Sequence, residues 1–361
     1  MTQHGEVKAA AGPSEPDAAP GASKTAGPDD GRKVLVVGFS NTLMFGYAPR
    51  LKQSFMEARD GIDFVRVGLG AQQPHVVPAF IRLAARLHGP FSHVLFEINT
   101  SAFTRHPLSS DELAVELLSD IVLTAQEVGA EPGFVILYRD YGDTRTIDFN
   151  ALTRTFCAAH GVPVLDRAEG LLAERGEPFV RSILRDDVHT TPEGSRFIAD
   201  EILPFLLDHI ERPLTRRPLT PRFRRGYLDI LDRLPTGTAV ERMEASNLGL
   251  DYAVVNEGET LTVDLGRDVV ALGLVYLYGP YGGQADLRFG ADSAVQALVS
   301  MDRMSHVTRI AVHPFASHRG MTGRTLRVGN LRDLAEVVPL RGDKTPPVRQ
   351  YVGPLLTLDP A

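Results

Sequence analysis

Lys33-Val34-Leu35-Val36-Val37-Gly38-Phe39-Ser40-Asn41-Thr42 is an apolar, β-branched run that stops on a glycine and gives way at once to small polar residues. A run this short, bounded by turn formers, predicts a buried strand over Val34 to Val37 with Ser40 just past its end. The same pattern returns at Phe64 to Val67, His93 to Ile98, Phe134 to Tyr138 and Val162 to Leu165. Helical stretches separate these strands. Ala79-Phe80-Ile81-Leu83-Ala84-Leu87 has the three-and-four spacing of an apolar stripe, as do Leu113-Leu117-Leu118-Ile121-Val122-Ala125 and Phe197-Ile198-Ile202-Phe205-Leu206. Five buried strands alternating with helices imply a parallel, doubly wound sheet covered on both faces. With strand order 2-1-3-4-5, the chain reverses direction between strands 1 and 3, and ligands bind outside their carboxyl ends. Ser40 and Asn99 are the polar residues just past those two strands.

Three polar segments at strand ends or helix entries carry the chemistry: Gly38-Phe39-Ser40-Asn41-Thr42, Glu97-Ile98-Asn99-Thr100, and Asp186-Asp187-Val188-His189-Thr190. A serine hydroxyl is a weak nucleophile until an imidazole takes its proton, and a carboxylate on the other ring nitrogen fixes the tautomer. Asp186 and His189, three residues apart on a turn, suit that pairing. His189 precedes two overlapping helix-start signals, Thr190 with Glu193 as a capping box and Thr191-Pro192 as cap and first-turn proline. Gly70, after the second strand, lets backbone approach an acyl oxygen without a Cβ in the way, and Asn99 can offer an amide N–H where negative charge develops.

In that order and spacing, residues 33 to 210 resemble the SGNH (GDSL-type) hydrolase family, in which a Ser, a Gly and an Asn follow strands 1, 2 and 3, and an Asp-x-x-His element completes the site. The resemblance implies a three-layer α/β/α, flavodoxin-like domain. It also implies Ser40 as nucleophile, His189 as its base, Asp186 as the orienting acid, and an oxyanion hole of the Ser40 and Gly70 amides with the Asn99 side chain. The implied activity is a serine esterase that removes a short acyl group, acetyl first, from a hydroxylated substrate such as a carbohydrate, with no cofactor. An O-acyltransferase working through the same acyl-serine, and a non-catalytic carbohydrate-binding or scaffold protein, stand as alternatives. The departures motivate the last of these: Phe39 stands where the family usually has Asp, and its Gly-x-Asn-Asp element reads Glu97-Ile98-Asn99-Thr100 here.

Asp187 is the rival orienting acid, and Tyr138-Arg139-Asp140-Tyr141 follows the fourth strand toward the same crevice. Gly38-x-Ser40-x-Thr42 lacks the second glycine of the nucleophile elbow, and no P-loop, dinucleotide fingerprint or His-Glu-x-x-His motif occurs. His306, His313 and His318 have no ligand spacing that would suggest a metal.

The chain of 361 residues is long enough for more than one domain. Its net charge of −7 comes from an acidic excess in the first 212 residues, which argues against a nucleic-acid partner. The single cysteine, Cys157, excludes an intrachain disulfide and reads as a helix-core thiol. Residues 1–31, rich in Ala, Pro, Gly and charge, read as a disordered tail. No run of about 18 apolar residues suggests a membrane span, and no apolar secretory stretch opens the chain, so a cytoplasmic protein is expected. The α/β domain is expected over 32–212 and an arginine-rich, solvated linker over 213–238, with a short helix at Gly226 to Leu234. Across 239–361 the periodicity turns to short alternating runs such as Leu261-Val263-Leu265 and Leu272-Leu274-Tyr276-Tyr278, which predict a β-sandwich or jelly roll of roughly 8 strands. Tyr276, Tyr278 and Tyr281 are candidates for a sugar-stacking platform or for a core or interdomain face, and the β domain is the candidate surface for any homo-oligomer.

Overall fold

The computed structural model describes residues 31–43, 46–101, 110–139, 149–290, 293–301, 308–315, 320–332 and 348–361. All of the expected tail except Gly31 lies outside them, as do Asp140, Tyr141, His306 and His318. Among the described residues no helix is long and apolar enough to cross a membrane.

The first half forms a five-stranded parallel sheet of order β2-β1-β3-β4-β5, as the strand pattern predicts. Its strands are β1 (Lys33–Gly38), β2 (Asp63–Gly68), β3 (His93–Glu97), β4 (Glu131–Ile136) and β5 (Val164–Asp166). Alternation along β1 splits the core into two. Leu35, Val37 and Phe39 point into a cluster with α2 (Val77–His88), α3 (Asp111–Glu127) and α4 (Phe149–His160), where Cys157 is buried. Val34 and Val36 face α1 (Ala48–Ala58), α5 (Glu169–Ser182) and α6 (Pro192–His209). The stripes read in the sequence are α2, α3 and α6. The apolar stripe of α1 is sparse, only Ala48, Leu51 and Phe55 being buried, which is why its periodicity does not stand out.

β4 starts earlier than its apolar run suggests because Glu131 is part of it, paired in register with His93. That carboxylate is tolerated in the core because Arg217 Nη2 lies 2.6 Å from its Oε1, with both side chains almost wholly buried. Arg217 belongs to the expected linker, and the rest of that segment departs from expectation in the same way. Arg224 and Arg225 both engage Asp120 of α3, whose side chain is fully buried. Residues 226–234 hold no α-helix: β6 (Phe223–Leu228) pairs antiparallel with the last strand, and a single 3-10 turn follows at Leu231–Arg233. The segment expected to be a solvated linker is therefore largely an ion-paired joint, because its arginines find carboxylates that the sequence leaves scattered over α3 and β4.

Among the described residues the second sheet has nine antiparallel strands. β7 (Val240–Ala245), β8 (Leu248–Asn256), β9 (Thr260–Tyr278), β10 (Gln284–Phe289), β11 (Gln296–Val299), β13 (Met321–Arg332) and β14 (Arg349–Pro360) run in the order β11-β10-β13-β9-β14-β8-β7. β12 (Arg309–Pro314) adds to β9, and β6 adds to β14. Strand β9 changes partner along its length, from β13 near Leu261 to β12 and β14 near Leu274. This exchange curls the sheet around Val263, Leu265, Leu287, Phe289, Leu326 and Val328. Its outer face is not free. The cluster under α2 and α3 continues into Leu250 and Tyr252 of β8, Leu272 and Val275 of β9, and Ile310 of β12, joining the two halves through one apolar core. Tyr276 is buried in the β core and Tyr281 packs on the cluster between the halves, so the three tyrosines do not form an exposed stacking platform. His313 binds Gln296 Oε1 at 3.0 Å.

His209, near the end of α6, is fully buried with its ring 5.1 Å from that of His93, in space left by the missing side chain of Gly133. Burial, and then the neighbouring His93, push its pKa down to about 3. An unfolded histidine takes up a proton near pH 6.5. At this site the unfolded state therefore gains protons first on acidification: the histidine's contribution to stability is level above about pH 6.5 and falls progressively toward pH 3. Between pH 7 and 4 this one group should remove about 3 kcal/mol, read in urea titrations as the difference in pH dependence between the wild type and His209→Phe.

Candidate active site

Ser40, Gly70 and Asn99 reach one end of the sheet because three strands end in step. Gly38 pairs with Gly68 on one side and with Glu97 on the other, and each of the three residues lies two positions beyond its member of that row. Ser40 opens a one-turn 3-10 helix, Ser40–Thr42, closed by Thr42 N–H donating to Phe39 O at 3.0 Å. The turn folds directly over the strand end. A Cβ on Gly38 would lie 2.0 Å from Thr42 Oγ1 and 2.8 Å from Glu97 O, so only glycine allows it. Phe39, placed where a polar residue was expected, alternates into the core beside Leu35 and Val37, while Ser40 stays half-buried at the surface.

Asp186 and His189, the candidate acid-base pair, sit on the loop between α5 and α6. Asp186 Oδ1 accepts the Val188 and His189 amides at 3.1 and 2.8 Å, and both its oxygens lie 2.9 Å from His189 Nδ1. Partial burial works against the charged carboxylate. The two amides and the imidazole outweigh it and hold Asp186 well below the usual carboxylate range. With Nδ1 held by a carboxylate, Nε2 is the nitrogen that can act as base. Asp187 is exposed, and the histidine contact belongs to Asp186.

The loop is closed at its base by Arg185 N–H donating to His189 O and Thr191 N–H donating to Ile183 O. Of the two helix-start signals, Thr191-Pro192 is the one realised: Thr191 Oγ1 accepts the Gly194 amide at 3.0 Å, while Thr190 pairs with Ser195. Gly194 packs flat on the loop, a Cβ there falling 2.0 Å from Ile183 O. Gly194→Ala should therefore cost about 1–3 kcal/mol in thermal or chemical unfolding and lower turnover by displacing His189.

One hydrogen bond joins the two loops. Asn41 Nδ2 donates to Val188 O at 2.8 Å, so the neighbour of Ser40 is tied to the neighbour of His189 across 147 positions of sequence. Asn41 carried no expectation; its place beside Ser40 was the one sequence clue.

The oxyanion side differs in part from expectation. Gly70 follows β2 in a buried turn, with Leu43 Cδ1 2.7 Å from a hypothetical Cβ and Arg309 Cδ at 3.9 Å. Arg309 comes from β12 and lies over the Tyr278 ring at 4.6 Å, so the second sheet forms one wall beside Gly70. Nothing in the sequence pointed to that residue. Asn99 is fully buried, and its amide donates to Asn150 Oδ1 and Thr153 Oγ1 at 3.1 Å and to Phe149 O at 3.4 Å. Its N–H groups thus face the first turn of α4, because that helix presents three oxygens just behind the strand end. Arg139 donates to Thr100 O, placing the segment after β4 against the same turn. Glu97, the carboxylate the sequence adds here, is wholly buried below the Ser40 turn.

No family model matches the chain, and neither does any curated protein. Solved structures do. A two-domain esterase (CEX) active on acetylated mannans, crystallised with mannopentaose, superposes over 91% of this chain and 91% of its own at 12% identity and a TM-score of 0.57. The esterase EstA from Pseudoalteromonas sp., inhibited by monoethylphosphonate, covers 50% of this chain and 100% of itself (14% identity, TM-score 0.40). A lipase/acylhydrolase from Enterococcus faecalis covers 51% and 99% (15% identity, TM-score 0.41). The chain thus has the two-domain fold of the first of these, an α/β domain of the architecture the SGNH resemblance implied followed by a β domain.

Proposed function

We propose that the protein is a serine esterase that removes a short acyl group, acetyl in the first instance, from a hydroxyl of a carbohydrate. The observation that carries this reading is the Asn41–Val188 hydrogen bond, which holds the Ser40 turn against a histidine already oriented by Asp186. Ser40 Oγ attacks the ester carbonyl as its proton passes to His189 Nε2. The amides of Ser40 and Gly70 then stabilise the oxyanion. The C–O bond to the sugar breaks with the proton returned to the departing hydroxyl, and water repeats the sequence in reverse on the acyl-serine. Asn99, turned to α4, braces the wall behind the site, so Asn99→Ala is expected to lower thermal stability together with turnover.

The substrate class has two supports. The acid-base pair is open, with about a third of the His189 side chain and more of Asp186 exposed, which suits a small acyl group on a bulky alcohol. The fold neighbour acts on acetylated mannans, making acetylated oligosaccharides the first substrates to assay. The test is a fluorophosphonate probe followed by peptide mass mapping, with acetate release from p-nitrophenyl acetate and acetylated oligosaccharides. Labelling at Ser40 with turnover supports the reading; neither would leave a scaffold that keeps only the fold. Diversion of acetyl to added sugar acceptors would make the enzyme a transferase working through the same intermediate.

A further inference from the structure

The end of β3 carries a carboxyl group that the reaction above does not use. Glu97 is wholly buried, opposite Gly38 in register and beneath the turn that bears Ser40. Its Oε1 accepts the Thr100 hydroxyl at 2.6 Å, and the main-chain amides of Phe39 and Thr100 also favour its charged form. Phe39 precedes Ser40 and Thr100 follows Asn99, so a single side chain touches both loops that leave the ends of β1 and β3. Three ionisable groups lie around these turns, and Tyr47 among them interacts with Glu97 itself. Tyr47 at the start of α1 has its hydroxyl 3.4 Å from Thr42 Oγ1, Arg66 lies on β2 beside Tyr47, and Arg139 after β4 donates to Thr100 O. Burial pushes the Glu97 carboxyl up to about 8, against the pull of the Thr100 hydroxyl and the two amides. The same burial, reinforced by Glu97, keeps the Tyr47 phenol from ionising.

We propose that Glu97 is the positioning residue of the nucleophile turn: it ties Phe39 to the Thr100 turn and so keeps Ser40 Oγ aimed at His189. The proposal rests on the esterase reading. It differs from a mere filling role because it makes the charge state of one buried group control the reactivity of a serine it does not touch. Ionisation strengthens the pull of the carboxylate on the two amides and shifts the turn. A glutamine keeps the acceptor for Thr100 and a donor in place of the acid proton, but cannot ionise.

The experiment measures the rate of fluorophosphonate labelling of Ser40, and kcat and KM for p-nitrophenyl acetate, from pH 6 to 10 in the wild type, Glu97→Gln and Glu97→Ala. In the wild type, labelling should fall about tenfold with a midpoint near pH 8. Glu97→Gln should stay within about threefold of wild type at pH 7 and lose that fall, while Glu97→Ala should lower kcat at least 30-fold with KM within about twofold. An unchanged alkaline fall in Glu97→Gln, or wild-type labelling in Glu97→Ala, would overturn the proposal and leave the esterase reading intact. A wild type whose Ser40 never labels overturns both. If Glu97→Ala does not fold, the pH profile of Glu97→Gln decides alone.

Discussion

Ser40→Ala and His189→Ala are each expected to lower kcat/KM for p-nitrophenyl acetate by about 10³-fold or more while moving the thermal midpoint by no more than about 2 °C. The two halves of that expectation come from different facts. In the proposed reaction the large kinetic loss follows because nucleophile and base act as one unit, so removing either leaves only binding and oxyanion stabilisation. The small stability change follows because both side chains are only half-buried, and the contacts that hold their loops are made by others: Asn41 to Val188, Asp186 to two amides, and Thr191 to Gly194. Asp186→Asn should fall between, since it leaves the loop closed at its base but weakens control of the imidazole tautomer. Circular dichroism follows the unfolding, as the chain has no tryptophan. A serine variant that loses stability and activity in proportion would place Ser40 in the core and remove it from the chemistry.

Asp120→Ala should have the largest effect on stability, about 3–5 kcal/mol in urea or guanidinium unfolding, with activity per folded molecule preserved. Asp120 is a fully buried carboxylate in the middle of α3, and apart from the Thr124 hydroxyl one turn on, 3.4 Å from its Oδ1, it is answered by the chain that enters the β domain. Oδ1 accepts Arg224 Nε at 2.8 Å, and Oδ2 accepts the Arg225 main-chain amide at 2.9 Å and Arg225 Nη1 at 3.1 Å. Its removal strands the buried Arg225 guanidinium and opens the joint where β6 crosses α2 and α3. The wild type should unfold in one transition because a single apolar cluster spans both halves. The variant should show two, the β domain and the α/β domain parting company. Asp120→Asn, which keeps acceptors for part of the set, should be intermediate. One unshifted transition in Asp120→Ala would show that the apolar cluster alone couples the halves.

The α/β domain was readable because its signals are local. Each buried strand is a short run of β-branched or aromatic residues, each ends on a polar cluster, and the parallel order follows from helices between them. The pairing of Asp186 with His189 was readable for the same reason, since the two lie three residues apart and the backbone up to His189 supplies the amides. The expected linker was misread because a charged run carries no mark of its partners: Arg217 and Arg225 are buried only because Glu131 and Asp120, about 86 and 105 positions away, are buried with them. Asn99 was placed at the right strand end, yet its amide direction depended on the oxygens of Phe149, Asn150 and Thr153, which no pattern near residue 99 announces.

By itself the sequence determined which residues stand at the carboxyl ends of the strands, because period-two burial and turn chemistry act over a few positions. Only the tertiary structure decided what those residues meet. The bond from Asn41 to Val188, the approach of Arg309 to Gly70 and the burial of Glu97 beneath the Ser40 turn all join segments far apart in the chain. Such contacts are selected by the closing of the whole core, and the free energy that fixes them belongs to the packed molecule and to none of the segments alone.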